Sequence, residues 1–276
     1  TSYFIENNDP RRIAAAEAGE VVTVSHATRH ALAIATQVHA ATRGTYDVTI
    51  GPLVDLWGFG RQDVDGPPSS NKVADALGRI GMDRLVLIGD GTRVSCRTDR
   101  LEVDLSSVAK GVAVDAAYAA LTNHGFTTVL VNAGGEIRAS MAPEKYARPW
   151  RVGIQVPRID AAPTDYMKDR VLTLTNAAVA TSGNYRRFLE DDARTYTHIL
   201  DPRTGYPVTS EVVSVTVIAP TCAEADAWAT GLFTLPPLDA LRVAVACPRI
   251  ACLLILRDPL AADGFRILSS RDFPSP

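Results

Sequence analysis

The sequence predicts an α+β fold in a single domain spanning residues 1–276. Three observations support it. Strand-like and helix-like stretches mix along the chain without a strict strand–helix–strand rhythm, so a regular parallel sheet is not expected. Hydrophobic residues make up 46% of the chain, enough for a sizeable core and too many for disorder. No internal repeat, low-complexity tract or clear linker interrupts the 276 residues.

Taken in order, residues 1–25 read as short elements with a turn at Asn7-Asn8-Asp9-Pro10 and a strand at Val21–Val24. Ser25 caps a helix that runs to about Arg43, and Gly44 stops it. His26 and His30 on this helix have the spacing of a metal pair, but no third ligand and no HExxH accompany them, so they read as surface residues. Gly44 to Pro52 and Leu56 to Gly60 set glycines around aromatics in a loop, either to stack on a flat ligand or to plug the core. Residues 61–71 are a polar surface loop, and Asn71–Ile80 is a helix ended by Gly81. Strands follow at Leu85–Ile88, Thr92–Cys96 and Leu101–Val103, the first two joined by a hairpin at Gly89-Asp90-Gly91.

Asp104 to Gly111 reads as a small-residue turn between a strand and a helix from about Val112 to Asn123. That geometry presents backbone N–H groups to a phosphate, and Lys110 adds a cation. The stretch matches neither the P-loop pattern nor GxGxxG. Thr127–Val131 is a strand, Asn132 to Glu136 a sharp turn, and Ile137–Ala139 the returning strand; paired glycines let backbone approach a ligand closely. Residues 140–149 form a loop. Strands are expected at Trp150–Val156, Val171–Leu174, Asn176–Thr181, Val212–Ile218, Ala251–Leu256 and Phe265–Leu268, with a helix at Leu238–Ala246. Asp201-Pro202-Arg203-Thr204-Gly205 is strong turn chemistry, and His198 is expected on the strand just before it, as a structural residue or a general base.

Composition excludes several classes. The net charge is −3 with no basic block, so no nucleic-acid footprint is expected. No apolar run reaches the length of a membrane span. Cys96, Cys222, Cys247 and Cys252 show no CxxC spacing, which argues against a zinc or redox motif. The chain starts at Thr1 rather than Met, which leads us to expect that an N-terminal segment, including any targeting signal, is missing.

Thr221 and Glu224 have capping-box spacing at the start of a helix. Asp226 and Thr230 follow one turn apart, on one helix face with Cβ atoms about 5–6 Å apart. A carboxylate beside a hydroxyl offers the hard oxygen ligands that Mg²⁺ prefers, although such pairs also occur on solvated helices.

Seven motifs occur in order: Gly-Thr-Tyr-Asp-Val-Thr at 44–49, Leu-Trp-Gly-Phe-Gly at 56–60, Asp-Leu-Ser-Ser-Val-Ala-Lys-Gly at 104–111, Asn-Ala-Gly-Gly-Glu at 132–136, Ala-Thr-Ser-Gly-Asn-Tyr at 180–185, His-Ile-Leu-Asp-Pro-Arg-Thr-Gly at 198–205 and Asp-Ala-Trp-Ala-Thr at 226–230. Over nearly the whole chain this resembles the ApbE family, the FAD:protein FMN transferases. The resemblance implies a flavin-transferase α+β fold and Mg²⁺-dependent transfer of FMN from FAD to a Ser or Thr hydroxyl of an acceptor flavoprotein, with release of AMP. It implies metal ligation by the side chains of Asp226 and Thr230 and by the carbonyl of Ser107. FAD would be lined by Tyr3, Phe4, Thr45, Tyr46, Asp47, Asp104, Lys110, Asn132, Gly134, Gly135 and Leu200, and His198 would be the base for the incoming hydroxyl. The acceptor would be a flavin-carrying subunit of a membrane redox complex, and the enzyme a lipoprotein facing the periplasm or cell exterior. Some relatives have an acid where this chain has Ala229. An FAD pyrophosphatase and a non-catalytic flavin-binding protein are the alternatives on the same site.

Overall fold

The computed structural model describes residues 8–61, 64–141, 149–162, 164–185, 188–191 and 194–274. Tyr3 and Phe4 lie outside the described residues. In chain order the elements are α1 (Asp9–Ala15), β1 (Val21–Thr23), α2 (His26–Ala41), α3 (Gly51–Leu56), α4 (Ser70–Leu77), β2 (Leu85–Ile88), β3 (Arg93–Cys96), α5 (Ser106–Asn123), β4 (Leu130–Ala133), β5 (Glu136–Ala139), β6 (Trp150–Gln155), β7 (Tyr166–Leu174) and β8 (Ala177–Gly183). They continue with β9 (Phe188–Asp191), β10 (Arg194–Thr197), β11 (Leu200–Asp201), β12 (Tyr206–Pro207), β13 (Val212–Ala219), α6 (Cys222–Phe233), α7 (Pro237–Ala246), β14 (Ala251–Arg257) and β15 (Phe265–Ser269). Helices and antiparallel strands mix as the α+β reading requires.

The chain divides into two compact units, residues 1–109 with 187–208, and residues 110–186 with 209–276. In the first, β1, β3 and β2 form an antiparallel sheet in the order β1-β3-β2. Ser25 caps α2 as its sequence predicts, its hydroxyl accepting from the Thr28 N–H at 3.2 Å. His26 and His30 are exposed on α2, and no group of three or more His, Cys, Asp or Glu among the described residues could hold a metal. The aromatic loop is a plug: Trp57 is fully buried with Leu53, Phe59, Val73 and Leu200, and its indole N–H donates to the Gly205 carbonyl at 2.8 Å.

In the second unit, the described residues form an antiparallel six-stranded sheet in the order β15-β14-β13-β8-β5-β4. The β6–β7 hairpin covers one face, packing Ile154, Leu172 and Leu174 onto Ile137, Val179, Val213, Leu253 and Ile255. The α6 helix covers the other face at β8 and β13, and α7 packs on β14. Strands closed in from both sides read as continuous apolar runs rather than alternating ones. The run Ala251–Leu256 is accordingly buried at every residue.

Several elements differ from the sequence expectation. Of the turn expected at 7–10, the described residues 8–10 are the start of α1, because the Asn8 side chain accepts from the Arg11 N–H at 2.9 Å and caps a helix there. Gly51 to Leu56 is helix rather than loop, with Pro52 in its first turn, where a missing N–H costs nothing. Leu101 to Val103 forms no strand; Leu101 and Val103 are buried without a ladder. Asn132 and Ala133 belong to β4 rather than to the turn, since Gly134 and Gly135 at φ 67° and 103° close a two-residue hairpin by themselves. The β9–β10 hairpin was not expected from sequence.

The largest difference concerns residues 104–111. The helix α5 begins at Ser106, not Val112, because Asp104 Oδ1 accepts the Ser106 N–H at 2.8 Å. Lys110 and Gly111 are therefore helical residues. Their backbone N–H groups are not turn donors for a phosphate, and that of Gly111 is donated to Asp226 Oδ2 at 2.9 Å.

Candidate active site

In the second unit the site is built on the start of α6. Thr221 caps it: the hydroxyl accepts from the Glu224 N–H at 3.3 Å and donates to Glu224 Oε2 at 2.9 Å. Glu224 in turn pairs with Arg249. The capping spacing was legible in the sequence; Glu224 answers the cap side chain rather than its backbone. Thr221→Ala should lower stability by about 1 kcal/mol, seen as a shifted urea midpoint at unchanged slope.

A second clamp grips the same helix end. Asp115 on α5 accepts from the N–H groups of Cys222 and Ala223, both at 2.9 Å, and from Arg138 at 2.5 Å. Arg138 also lies over the Tyr118 ring, 4.4 Å from its centroid. A carboxylate at a helix N-terminus meets both the unbonded N–H groups and the positive end of the dipole. These contacts and the absence of a side chain at Gly111 bring α5 close against α6.

Asp226, 3% exposed, sits one turn further along α6. Burial pushes its carboxyl up to about 7; the Lys110 ammonium and the Gly111 N–H pull against that, and the Glu136 charge adds to it. Lys110 lies 3.8 Å from Asp226 Oδ1 and is hydrogen-bonded to Glu136 Oε1. Burial draws the Lys110 ammonium down, but the Asp226 and Glu136 carboxylates outweigh it and hold the group above its ordinary range. Glu136 is 2% exposed, and its Oε2 has no hydrogen-bond partner among the described residues. Thr230 Oγ1 is 2.9 Å from Ser182 Oγ on β8. Gly134 and Gly135 lie exposed just before Glu136, with the Gly135 N–H donating to Asn132 Oδ1 at 3.1 Å.

This donor set suits a hard divalent cation. A buried carboxylate whose ionised form is costly, a hydroxyl one helical turn away and a partnerless buried carboxylate oxygen are all relieved by positive charge. Glu136, Asp115, Arg138 and Ser182 were not expected as site residues. The available signals were weak: Asp115 is a lone acid in an apolar helical run, and Glu136 opens a strand behind two glycines.

In the first unit the Tyr46 hydroxyl and Ser107 Oγ lie 2.9 Å apart. Thr45 is buried, with its hydroxyl donating to the Thr42 carbonyl at 3.2 Å. Asp47 serves its own loop, accepting from the Thr49 N–H (2.7 Å), the Thr49 hydroxyl (2.6 Å) and the Met82 N–H (3.2 Å). Asp104 caps α5, as described. His198 lies at a bend between β10 and β11, its ring edge-on to Phe59 with centroids 6.3 Å apart. Leu200 is buried in the Trp57 core. The turn after it forms as its residues demand: Asp201 Oδ1 accepts the Arg203 N–H at 2.9 Å, and Gly205 takes φ 78°.

Comparison with known proteins follows the same lines. The profile of the ApbE family matches residues 1–254. A protein of Klebsiella pneumoniae named FAD:protein FMN transferase is 36% identical over 254 residues, 91% of this chain and 70% of that protein. One of the same name from Vibrio cholerae is 34% identical over 275 residues, 99% of this chain and 78% of that protein. The solved flavinyl transferase ApbE of Pseudomonas stutzeri superposes with a TM-score of 0.81 at 32% identity, covering 98% of this chain and 81% of that one. The chain belongs to the ApbE family.

Proposed function

We propose that this chain is an FAD:protein FMN transferase, carrying FMN from FAD to a Ser or Thr hydroxyl of an acceptor flavoprotein and releasing AMP. The observation that supports it most is the pair of buried carboxylates, Asp226 and Glu136, that share the single ammonium of Lys110 and that a divalent cation would complete. We read the cation as Mg²⁺, held by Asp226 and Thr230, with the Ser107 carbonyl added by the family resemblance. Mg²⁺ would supply charge neutralisation for the diphosphate and the departing AMP.

The remaining chemistry belongs to the chain's own groups. The acceptor oxygen attacks the phosphorus of the FMN half, and the bond from that phosphorus to the bridging oxygen breaks. AMP leaves with that oxygen, and the hydroxyl proton passes to His198. Lys110 offers a second positive charge to the phosphates. Flavin contacts fall to Thr45, Tyr46, Asp47, Asp104, Asn132, Gly134, Gly135 and Leu200 in this reading. We take the acceptor to be a flavin-carrying subunit of a membrane redox complex, and the site of action to be the periplasmic or outer side of the inner membrane, with a lipid anchor. Among the described residues no helix is long and apolar enough to cross a membrane.

The test is mass spectrometry of an acceptor domain after incubation with this chain, FAD and Mg²⁺. A mass gain equal to FMN less water, abolished by EDTA, is expected. AMP and FMN accumulating at the same rate without acceptor would replace the transferase by a pyrophosphatase, and FAD remaining intact in the presence of acceptor would point to a flavin carrier. His198→Gln should lower transfer by about 10²–10⁴-fold, the usual worth of a general base, while FAD affinity measured by flavin fluorescence stays within about threefold. Undiminished transfer in that variant would remove His198 from the mechanism.

A further inference from the structure

Glu136 has no role in the reading above beyond holding Lys110, and its geometry asks for more. Its side chain is 2% exposed, yet only Oε1 is bonded. Oε2 is a buried carboxylate oxygen without a partner among the described residues. Such atoms are rare in folded proteins and costly to leave unmet. The neighbouring buried carboxylates differ. Asp115 has three donors, and Asp226 has the Gly111 N–H on one oxygen and Lys110 near the other.

Place and charge bear on what Oε2 awaits. The Lys110 ammonium contacts Glu136 Oε1 and lies 3.8 Å from Asp226 Oδ1, so the two carboxylates share one cation. Asp115 is balanced by Arg138, which leaves Glu136 and Asp226 with Lys110 as their shared counter-charge and, when both carboxylates are ionised, a net surplus of one negative charge. Oε2 is buried beside the side-chain-free backbone of the Gly134-Gly135 turn. A Cβ on Gly134 would come to 3.5 Å from it, and a Cβ on Gly135 would meet nothing within 4 Å. A hard divalent cation held by one carboxylate and one hydroxyl keeps several waters, and each bound water has hydrogens that seek an anionic acceptor.

We propose that Glu136 is a positioning residue of the cation site, its free Oε2 accepting a hydrogen bond from a water bound to the ion that Asp226 and Thr230 hold. This rests on the reading of Asp226 and Thr230 as cation ligands. It assigns Glu136 two tasks at once: Oε1 keeps Lys110 beside Asp226, and Oε2 orients the hydrated ion.

The test is the affinity of the full chain for Mn²⁺, followed by electron paramagnetic resonance without FAD or acceptor, alongside thermal melting of the metal-free protein. Glu136→Gln should weaken Mn²⁺ binding by about 10–100-fold, the usual effect of losing a group that orients a metal's ligands, while the metal-free melting temperature changes by only a few degrees. Glu136→Asp keeps the charge but withdraws it by one methylene, and should also weaken binding, by less. Wild-type affinity in Glu136→Gln, or a lowered melting temperature with affinity unchanged, would reduce Glu136 to a structural residue and overturn the proposal. Full affinity in Glu136→Asp would show that charge alone matters and would overturn the water contact. Absence of Mn²⁺ binding by the wild type would instead sink the cation site itself, an outcome distinct from failure at Glu136.

Discussion

Asp226→Asn is expected to make the metal-free protein more stable at pH 8 while abolishing metal-dependent transfer. Burial lifts the Asp226 carboxyl from its ordinary value of 3.8 to about 7. Between those two values the native state holds a proton that the unfolded chain has lost. The native state thus binds more protons, and stability falls as pH rises through that window. Above pH 7 the carboxylate is ionised in both states and the full cost is present. Raising the carboxyl from 3.8 to about 7 corresponds to a cost on the order of 4 kcal/mol. Asparagine removes the charge and keeps a carbonyl oxygen for the Gly111 N–H, and Lys110 keeps Glu136. Because a buried amide is itself imperfectly satisfied, the net gain should be about 1–3 kcal/mol at pH 8, shrinking toward zero as pH falls to 4. Urea titrations of both proteins in EDTA at several pH values would measure it. Turnover should fall at least about 10³-fold, since the cation is worth several kcal/mol to the transition state. Adding Mg²⁺ should stabilise the wild type and leave the variant unmoved. A variant that is less stable than the wild type at pH 8, or that still responds to Mg²⁺, would refute this account of Asp226.

That result would explain why parts of this site were legible in the sequence and others were not. Local chemistry writes itself into short spacings. Thr221 with Glu224, Asp226 with Thr230, Gly134 with Gly135 and Asp201 with Gly205 each act within a few residues, and each forms a cap, a helix face or a turn. The motif order carried the family. What remained hidden depends on partners far along the chain. Asp115 meets the start of α6 across 107 residues, and Gly111 meets Asp226 across 115. Neither spacing has a sequence signature. The start of α5 was missed for a different reason. The small residues at 104–111 suit a turn that cradles a phosphate as well as a first helical turn, and the Asp104 carboxylate, accepting the Ser106 N–H, starts the helix there. Side chains that can serve either backbone or ligand are ambiguous until the fold assigns them. The aromatic motif at 56–60 shows the same limit, since stacking platforms and core plugs have one composition, and burial of Trp57 decides between them.

The hidden contact at Gly111 supports the second large effect. Alanine in place of an interior helix glycine ordinarily stabilises by about 0.4–1 kcal/mol, because the unfolded chain loses freedom. Here the sign reverses. A Cβ at Gly111 would sit 2.3 Å from the Cys222 carbonyl oxygen and 2.7 Å from Ala223 Cα. Both are backbone atoms, so no side chain can swing aside, and α5 and α6 would have to separate. The start of α6 is the segment that Asp115 clamps, and the Gly111 N–H holds Asp226. Separation therefore strains three hydrogen bonds while it displaces the carboxylate. Gly111→Ala should cost about 3 kcal/mol or more, at the upper end for an overpacked core. It should also lower transfer about 10²-fold in whatever fraction folds, since a misplacement near 1 Å costs that much in catalysis. Gly78→Ala is the matched control. Gly78 ends α4 at an ordinary helical φ of −62°, and the nearest atoms to its Cβ would be carbonyl oxygens of the same helix at 3.4 and 3.7 Å. That variant should be neutral or slightly stabilised, with full activity. Melting curves and turnover of the two alanine variants side by side separate the general gain from the local clash. Equal behaviour of the two would mean that α5 and α6 are not held in close contact at Gly111, and that Asp226 is positioned by something other than this glycine.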